Sequence, residues 1–280
     1  MFARTLKVCF YLAQLLLLVA YVGYWGAGQF EVKHAELPED TLKGAGPLKI
    51  AFFSDLHSSK GHFETVVKEI EQAKPDLIIF GGDFVWALGR FGHTRWAVEG
   101  LKKLCAVAPV YAILGNQDYE MLPQVERIFT TAGVTLLRNQ GVDWTAPNGT
   151  VIRIVGLGDR TEGDENPKTC LSVGDSKEKP VLLLSHDPES RHELGGYDWD
   201  LMLSGHTHGG QLGIPFTEKY ICFRSDMPCG LYPFDRNRRI YVSKGIGCSM
   251  GMRFFCPPRA RHSGAEIKPA TADRLIRCCR

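Results

Sequence analysis

The chain has 280 residues, of which 44% are hydrophobic and 23% are charged. This length and composition fit one large globular domain with an appendage and exclude a disordered or fibrous protein. The chain has 33 lysines and arginines and 31 aspartates and glutamates, so its formal charge is only +2. No strong basic field attracts a phosphate backbone, so we expect no binding to nucleic acid.

The first predicted element is a long apolar segment. Residues 8–30 contain no charged side chain, and about 23 residues suffice to cross roughly 30 Å of hydrocarbon. Tyr21, Tyr24 and Trp25 lie where an aromatic belt forms at a membrane interface. We therefore expect residues 1–30 to be an uncleaved membrane anchor. The alternative is a cleaved signal peptide, although the segment is long and lacks a good small-residue cleavage site.

The side of the membrane is only weakly indicated. Arg4 and Lys7 precede the apolar segment and Lys33, Lys43 and Lys49 follow it, so the positive-inside rule barely selects an orientation. The nine cysteines are odd in number and contain no CxxC pair, which favours reduced thiols. Reduced thiols favour a catalytic domain on the cytoplasmic face of the inner membrane. A disulfide within the late group remains open, among Cys222, Cys229, Cys248 and Cys256.

After the apolar segment, residues 31–47 mix charged residues with proline and glycine and are predicted to be a linker. The folded domain is predicted at residues 48–268, followed by a basic tail at 269–280. Apolar runs predict strands at 49–53, 77–80, 110–114, 134–137, 151–156, 181–184, 201–203 and 240–242. Helical patterns occupy 63–73, 95–104 and 122–132. This order predicts an α/β sandwich built on two sheets, with its site at the carboxyl ends of the strands.

Five short polar clusters each follow one of these apolar runs: SDLH (54–57), GGD (81–83), GNQD (115–118), SHD (185–187) and GHTHGGQ (205–211). Carboxylates and imidazoles suit Mn²⁺, Fe²⁺ or Zn²⁺, and two ions about 3.5–4 Å apart promote hydrolysis of phosphoesters and pyrophosphates. Any one of these residues has an ordinary explanation, such as a helix cap or a satisfied buried histidine. Taken together they predict two metal ions, held by Asp55, His57, Asp83, Asn116, His186, His206 and His208.

The same motifs, in the same order, make residues 48–258 resemble the calcineurin-like metallophosphoesterases, whose pattern is D-x-H, G-D, G-N-H-[DE], H and G-H-x-H. The resemblance implies a four-layer α/β/β/α sandwich. It implies that one metal is bound by Asp55, His57, Asp83 and His208. It implies that the second is bound by Asp83, Asn116, His186 and His206. Two divalent ions, Mn²⁺ first with Fe²⁺ or Zn²⁺ as alternatives, would then share a bridging hydroxide as nucleophile, with catalytic residues Asn116, Asp83 and His186.

The chain departs from that pattern at Gln117, where the family usually has a histidine that protonates the leaving group. An amide has no titratable proton, and general acid catalysis typically contributes about 10²–10⁴-fold. A phosphate monoester that departs as the leaving group needs this proton least, because its second pKa is about 6 and it can leave as an anion. Gln117 therefore points to a pyrophosphate or another ester with a good leaving group. Neutral drift and loss of activity are the alternatives.

Local sequences at 199–211, 240–247 and 252–255 resemble the membrane-associated, YaeI-like branch of the family, which includes a UDP-2,3-diacylglucosamine pyrophosphatase of lipid A synthesis. This resemblance implies a lipid-linked nucleotide substrate cleaved to UMP and 2,3-diacylglucosamine 1-phosphate. The alternatives are a broad membrane phosphodiesterase acting on phospholipid or small diesters, and a non-catalytic protein that binds metal or lipid. Apolar residues within 216–234 and 250–255 either line an acyl groove or form ordinary core. Candidate contacts to a substrate phosphate are Arg253, Lys244 and Arg224.

Overall fold

In the computed structural model, the described residues are 2–34, 37–38, 41–42, 44–86, 94–173, 178–214, 220–222, 225–248 and 252–262. Within these ranges the helices are α1 (Phe2–Gly28), α2 (Lys60–Ala73), α3 (Arg95–Val107) and α4 (Leu122–Ala132). The strands are β1 (Glu31–His34), β2 (Ile50–Phe53), β3 (Leu77–Phe80), β4 (Val110–Ala112), β5 (Thr135–Leu136), β6 (Gln140–Thr145), β7 (Val151–Gly156), β8 (Val181–Leu184), β9 (Leu201–Ser204), β10 (Leu212–Gly213), β11 (Tyr220–Ile221), β12 (Gly230–Pro233), β13 (Arg239–Val242) and β14 (Arg259–His262).

The helices after α1 form because their apolar residues recur at helical spacing. In α2 the buried side chains are those of Phe63, Val66, Val67 and Ile70, which lie on one face of a 3.6-residue repeat. Helix α4 begins next to a proline and ends at Gly133, whose φ of 86° closes the helix in the left-handed conformation. The predicted helices are all confirmed, with α2 beginning three residues earlier than the pattern indicated.

Two six-stranded sheets carry the domain. The first has the order β1, β14, β2, β3, β4, β5, and β2 to β5 are parallel. The second has the order β12, β13, β9, β8, β7, β6, in which β13, β9, β8 and β7 are parallel. Parallel strands end at the same edge of a sheet, so the loops that follow them collect at one place.

The core lies in three layers. One apolar cluster fills the space between the sheets and joins Ile50 and Ile79 of the first sheet to Ile154 and Leu203 of the second. A second cluster lies between the first sheet and helices α2, α3 and α4. The third covers the outer face of the second sheet, where the described residues form loops and short 3-10 helices in place of α-helices. The predicted α/β sandwich is confirmed, with this difference in its outermost layer.

Several short polar strands were not predicted. Glu31–His34, within the predicted linker, pairs in parallel with Arg259–His262, and Gln140–Thr145 forms one of the two antiparallel edges of the second sheet. Their sequences contain no apolar run, so local pattern gives no signal for them. The boundaries proposed at 31–47 and 48–268 stay a prediction, and the tail at 269–280 lies outside the described residues.

Helix α1 is largely exposed along its length. Its segment Arg4–Gly28 is long and apolar enough to cross a membrane, with a mean hydropathy of 1.9 and only 6% of the most apolar stretch buried. Such a helix can be either a membrane anchor or a signal sequence. The cysteines in the described part of the chain are free thiols, including Cys222, Cys229, Cys248 and Cys256. Cys278 and Cys279 lie outside the described residues.

Candidate metal centre

The predicted ligands meet at the carboxyl ends of strands from both sheets. Asp55 and His57 follow β2, and Asp83 follows β3. Asn116 lies in the 3-10 helix Asn116–Met121 after β4, while β8 is followed by His186 and β9 by His206 and His208. Because the two sheets pack face to face, these loops converge although the residues span the chain from 55 to 208.

The backbone at this site is strained. Five of the seven predicted ligands have φ values between 46° and 67°, namely Asp55, His57, Asp83, His206 and His208. A left-handed conformation is uncommon for residues other than glycine and costs of order 1 kcal/mol or more at each position. Ordinary packing gives no reason to repeat this cost five times at one place. The strain is the mark of a functional site whose side chains are held in fixed directions.

Four of the predicted ligands form a compact buried cluster. The candidate donor atoms of Asp55, His57, Asp83 and His208 all lie within 4.8 Å of one another. The Nε2 atoms of His57 and His208 are 2.9 Å apart, and Nε2 of His208 lies 3.4 Å from Oδ1 of Asp55. Two nitrogen ligands at about 2.1 Å from one ion and at right angles would be about 3.0 Å apart. The cluster therefore fits a divalent metal ion.

The other predicted ligands adjoin this cluster. Nε2 of His186 is completely buried, has no hydrogen-bond partner, and lies 3.4 Å from Oδ2 of Asp83. Its Nδ1 faces the carbonyl oxygen of Gly81 at 2.7 Å, so Nδ1–H donates there and Nε2 points toward the carboxylates. Nδ1 of His206 is 3.1 Å from Oδ1 of Asn116. A buried nitrogen without a partner, beside a carboxylate, has the chemistry of a second cation ligand.

The charges at the site are strongly coupled. Burial raises the pKa of Asp83, but the charges of His186 and His57 outweigh burial and lower this pKa to about 2. Burial lowers the pKa of His186, and the carboxylates of Asp83 and Asp55 reverse this and raise it well above its usual value. Burial, then His57 and Arg253, lower the pKa of His208 well below its usual value. A cation would take the place of the proton on His186.

Residues 117 and 118, which follow the predicted ligand Asn116, make different contacts. The backbone N–H of Gln117 donates to Oδ1 of Asp83 at 2.9 Å, which places this half-buried residue beside the predicted bridging carboxylate. Asp118 accepts three backbone hydrogen bonds, from the N–H groups of Phe84, Val85 and Gly115. Burial, with the nearby charge of Asp83, raises its pKa to about 7.

The prediction that Arg253 contacts a substrate phosphate is wrong. Its side chain is 0% exposed, and its guanidinium donates to the carbonyl oxygens of Lys244 at 2.8 Å and Gly247 at 2.6 Å. Its Nη2 also lies 3.0 Å from Nδ1 of His208. Arg253 therefore supports a predicted metal ligand from behind. Lys244 is buried as well, and Arg224 lies outside the described residues.

The apolar residues predicted either to line an acyl groove or to form ordinary core include both buried and exposed side chains. The side chains of Leu231, Tyr232 and Phe234 pack against the core clusters, as ordinary core residues do. Met252 and Phe255 are exposed, at 40% and 57%. The loop residues 215–219, 223–224 and 249–251 lie outside the described residues.

Some supporting contacts were not predicted. The hydroxyl of Ser54 donates to Oδ2 of Asp55 at 2.5 Å, and the backbone N–H of His206 donates to Oδ1 of the same carboxylate at 3.0 Å. Nδ1 of His57 faces the carbonyl oxygen of Val85 at 3.3 Å. Ser54 is visible in the SDLH motif, but backbone donors and acceptors have no signal in the sequence. These contacts orient the ligands, a role that commonly decides metal affinity.

Comparison with known proteins agrees with this geometry. Residues 48–210 match the model of the calcineurin-like phosphoesterase family. The chain is 33% identical over 249 residues to phosphodiesterase YaeI of Escherichia coli, covering 85% of this chain and 89% of that protein. It is 31% identical over 256 residues to the uncharacterized metallophosphoesterase YkuE of Bacillus subtilis, covering 86% and 89%. It is 28% identical over 280 residues to the UDP-2,3-diacylglucosamine pyrophosphatase LpxG of Chlamydia muridarum, covering 75% and 81%. The chain belongs to the calcineurin-like phosphoesterase family and is a metal-dependent hydrolase.

Proposed function

We propose that this protein uses two divalent ions to hydrolyse the pyrophosphate of UDP-2,3-diacylglucosamine, giving UMP and 2,3-diacylglucosamine 1-phosphate. The first ion is assigned to Asp55, His57, Asp83 and His208. The second is assigned to Asp83, Asn116, His186 and His206. When bound, a pair of such ions supplies an activated water and neutralises the charge that develops on the phosphoryl oxygens.

Asp83 is suited to join the two ligand sets. Its Oδ2 lies 3.6 Å from Nε2 of His57 and 3.4 Å from Nε2 of His186, so one carboxylate borders a histidine of each set. Its Oδ1 is held by the N–H of Gln117. The pKa of about 2 keeps this carboxylate ionised at neutral pH. We therefore assign Asp83 as the bridging ligand, with Asn116 and His186 on the side of the second ion.

The observation that carries the choice of bond is the amide at position 117. Residue 117 lies at the border of the ligand set, at the position where the family pattern has a histidine that protonates the leaving group. Gln117 cannot supply one, so the reaction must succeed without that acid. A phosphoanhydride satisfies this condition, because the departing phosphate monoester is stable as an anion.

Lipid linkage of the substrate is supported by helix α1 and by one relative. The apolar helix gives the domain a place at a membrane, where a diacylated sugar nucleotide resides. The relative named UDP-2,3-diacylglucosamine pyrophosphatase shares 28% identity over 75% of this chain. We place the domain on the cytoplasmic face of the inner membrane, where the nucleotide sugar is made. Mn²⁺ is the proposed metal, since mixed oxygen and imidazole ligands suit it.

The direct test is release of UMP. Detergent-solubilised protein with Mn²⁺ and UDP-2,3-diacylglucosamine should release UMP, and Asp83→Asn should not. Equal rates in the two proteins would contradict the assignment of the site. A reporter fused to the C-terminus should be active in the cytoplasm, and an external location would contradict this choice of substrate.

A broader membrane phosphodiesterase is the second candidate. It is favoured by the 33% identity to a relative named phosphodiesterase, which is higher than the identity to the pyrophosphatase. Turnover of bis-p-nitrophenyl phosphate or phospholipid without UMP release from the sugar nucleotide would support it. A site that binds two metals but turns over none of these compounds would instead support the non-catalytic alternative.

A further inference from the structure

We infer that the domain has a membrane-facing surface, formed by Ile214, Ile221, Met252 and Phe255, which inserts into the bilayer surface at the end of α1. The partner is a phospholipid bilayer. The inference rests on the proposed anchoring of α1 and adds the orientation of the catalytic domain on the membrane. We call these four residues the membrane face.

Helix α1 is packed directly on the domain. The backbone N–H of Arg253 donates to the carbonyl oxygen of Gly23 at 2.8 Å. A Cβ atom on Gly23 would lie 2.5 Å from the ring of Phe254, and one on Gly26 would lie 2.1 Å from the carbonyl oxygen of Arg253. At Gly26 the neighbouring atom belongs to the backbone, so only glycine allows so close an approach there. The end of α1 is therefore fitted to the loop 252–256.

The segment that follows α1 also packs against the domain. The ring of Phe30 stacks on that of His62 with centroids 5.6 Å apart, and β1 then pairs with β14. The guanidinium of Arg259 donates to the Glu31 carboxylate at 3.1 Å. The helix is therefore joined to the first sheet by only two residues, 29 and 30, and not by a flexible linker. If α1 lies in a bilayer, these contacts fix which surface of the domain faces that bilayer.

Exposed apolar side chains cluster at this end of α1. In the described part of the chain outside α1, the large apolar residues that are exposed are Val173, Ile214, Ile221, Met252 and Phe255. All but Val173 lie on adjoining segments. The N–H of Gly213 donates to the carbonyl oxygen of Phe254 at 2.6 Å, and Leu212 lies opposite Ile221 in the β10–β11 pair. The exposed Tyr24 and Trp25 lie in the adjoining turn of α1.

Phe255 is difficult to explain by folding alone. Its φ is 51°, a conformation that disfavours a bulky side chain, and its ring is 57% exposed to water. The backbone would prefer glycine or asparagine, and the core gains little from the ring. Insertion of the ring at a bilayer interface gives it an apolar environment.

The membrane face adjoins the candidate metal centre. Gly210 follows the ligand His208 by two residues, and a Cβ atom at Gly210 would overlap the carbonyl oxygen of Ile221. Arg253, next to Met252, contacts His208 itself. The membrane face thus borders the loop that carries two predicted ligands. A substrate whose acyl chains stay in the leaflet can then present its phosphates to that loop.

Photocrosslinking of the full chain in phospholipid vesicles tests the inference. p-Benzoylphenylalanine is placed singly at Phe255, at Leu17 on the exposed side of α1, and at the exposed control position Val173. We expect lipid adducts at 17 and 255, with on the order of tenfold less adduct at 173. Melting curves matching the unmodified protein show that each variant is folded.

The outcomes separate this inference from the anchoring on which it rests. Adducts at 17 but not at 255 would overturn the membrane face and leave the anchor in place. Adducts at 255 no more frequent than at 173 would also overturn it. No adduct at 17 would overturn the anchoring and the membrane face together.

Discussion

Nε2 of His57 lies 2.9 Å from Nε2 of His208 in the buried centre of the site. The contact is favourable when one of these nitrogens carries a proton, and a cation held by the two histidines would replace that proton. His57 follows β2 and His208 follows β9, so the pair joins the ends of the two sheets. The candidate metal site and the packing of the sheets are thereby connected.

This contact predicts the effect of His208→Asn. We expect the metal content measured by mass spectrometry to fall from two ions per chain to about one, and turnover of an activated ester to fall about 10³-fold. His192→Asn is the matched control, since that histidine is largely exposed and pairs with Glu189 away from the cluster. Retention of two ions by His208→Asn would contradict the ligand assignment.

Arg253→Lys tests whether Arg253 supports His208. A lysine cannot reproduce the contacts with the carbonyl oxygens of Lys244 and Gly247 and with His208, so metal affinity should fall about 10- to 100-fold. A high Mn²⁺ concentration should restore the maximal rate.

Arg238→Lys is the control for that variant, because Arg238 also binds backbone carbonyls, of Tyr197 and Gly195, far from the ligands. It should lower thermal stability without changing the Mn²⁺ titration. If Arg253→Lys raised only the KM for substrate and left the Mn²⁺ titration unchanged, a direct contact with the substrate would be indicated.

Gln117→His should restore an acid near the leaving group. We expect a rate gain of up to about 10²-fold for alkyl phosphodiesters, whose leaving groups need a proton, and little change for pyrophosphates. The measurement is the ratio of kcat/KM for an alkyl ester to that for a p-nitrophenyl ester. An equal change for both esters would show that position 117 does not act on the leaving group.

Glu165 predicts a pH dependence of stability that is independent of the metals. Burial raises its pKa to about 7, so the folded state favours the neutral carboxyl group. This contribution to stability is present below about pH 4.5 and is lost as the pH rises through about 7. Glu165→Gln stays neutral, and should therefore gain about 1 kcal/mol over wild type at pH 8, after allowance for partial solvation, and nothing at pH 4.

Chemical denaturation of the two proteins at both pH values measures this difference. Glu162→Gln serves as the exposed control. A gain of equal size at pH 4 and pH 8 would show that ionisation of Glu165 is not its cause.

Much of the fold was predictable because its central strands are continuous apolar runs. Val151–Gly156 and Val181–Leu184 were predicted with their observed bounds. The strand Arg259–His262 was not, because it has no apolar run and its place depends on pairing with Glu31–His34, more than 200 residues away in the sequence. Such non-local pairing leaves no periodicity in a single sequence.

In the candidate site, too, some features were predictable from the sequence and others were not. The positions of Asp55 and His57 after an apolar run predicted the metal cluster, since the carboxyl ends of parallel strands converge. Arg253 was assigned to the wrong role, because its sequence neighbours do not reveal that it is completely buried. The carbonyl oxygen that orients His186 belongs to Gly81, and only the folded structure identifies such a contact.

The proposed mechanism requires two ions that act together across Asp83. The most direct measurement is the Mn²⁺ content and the turnover of an activated ester, followed together as Mn²⁺ is added to chelator-treated wild type and Asp83→Asn. We expect wild-type turnover to appear with the second ion bound per chain, and Asp83→Asn to lose at least one ion and about 10³-fold in rate. Full turnover of wild type with one ion, or equal turnover by Asp83→Asn, would contradict the two-metal account.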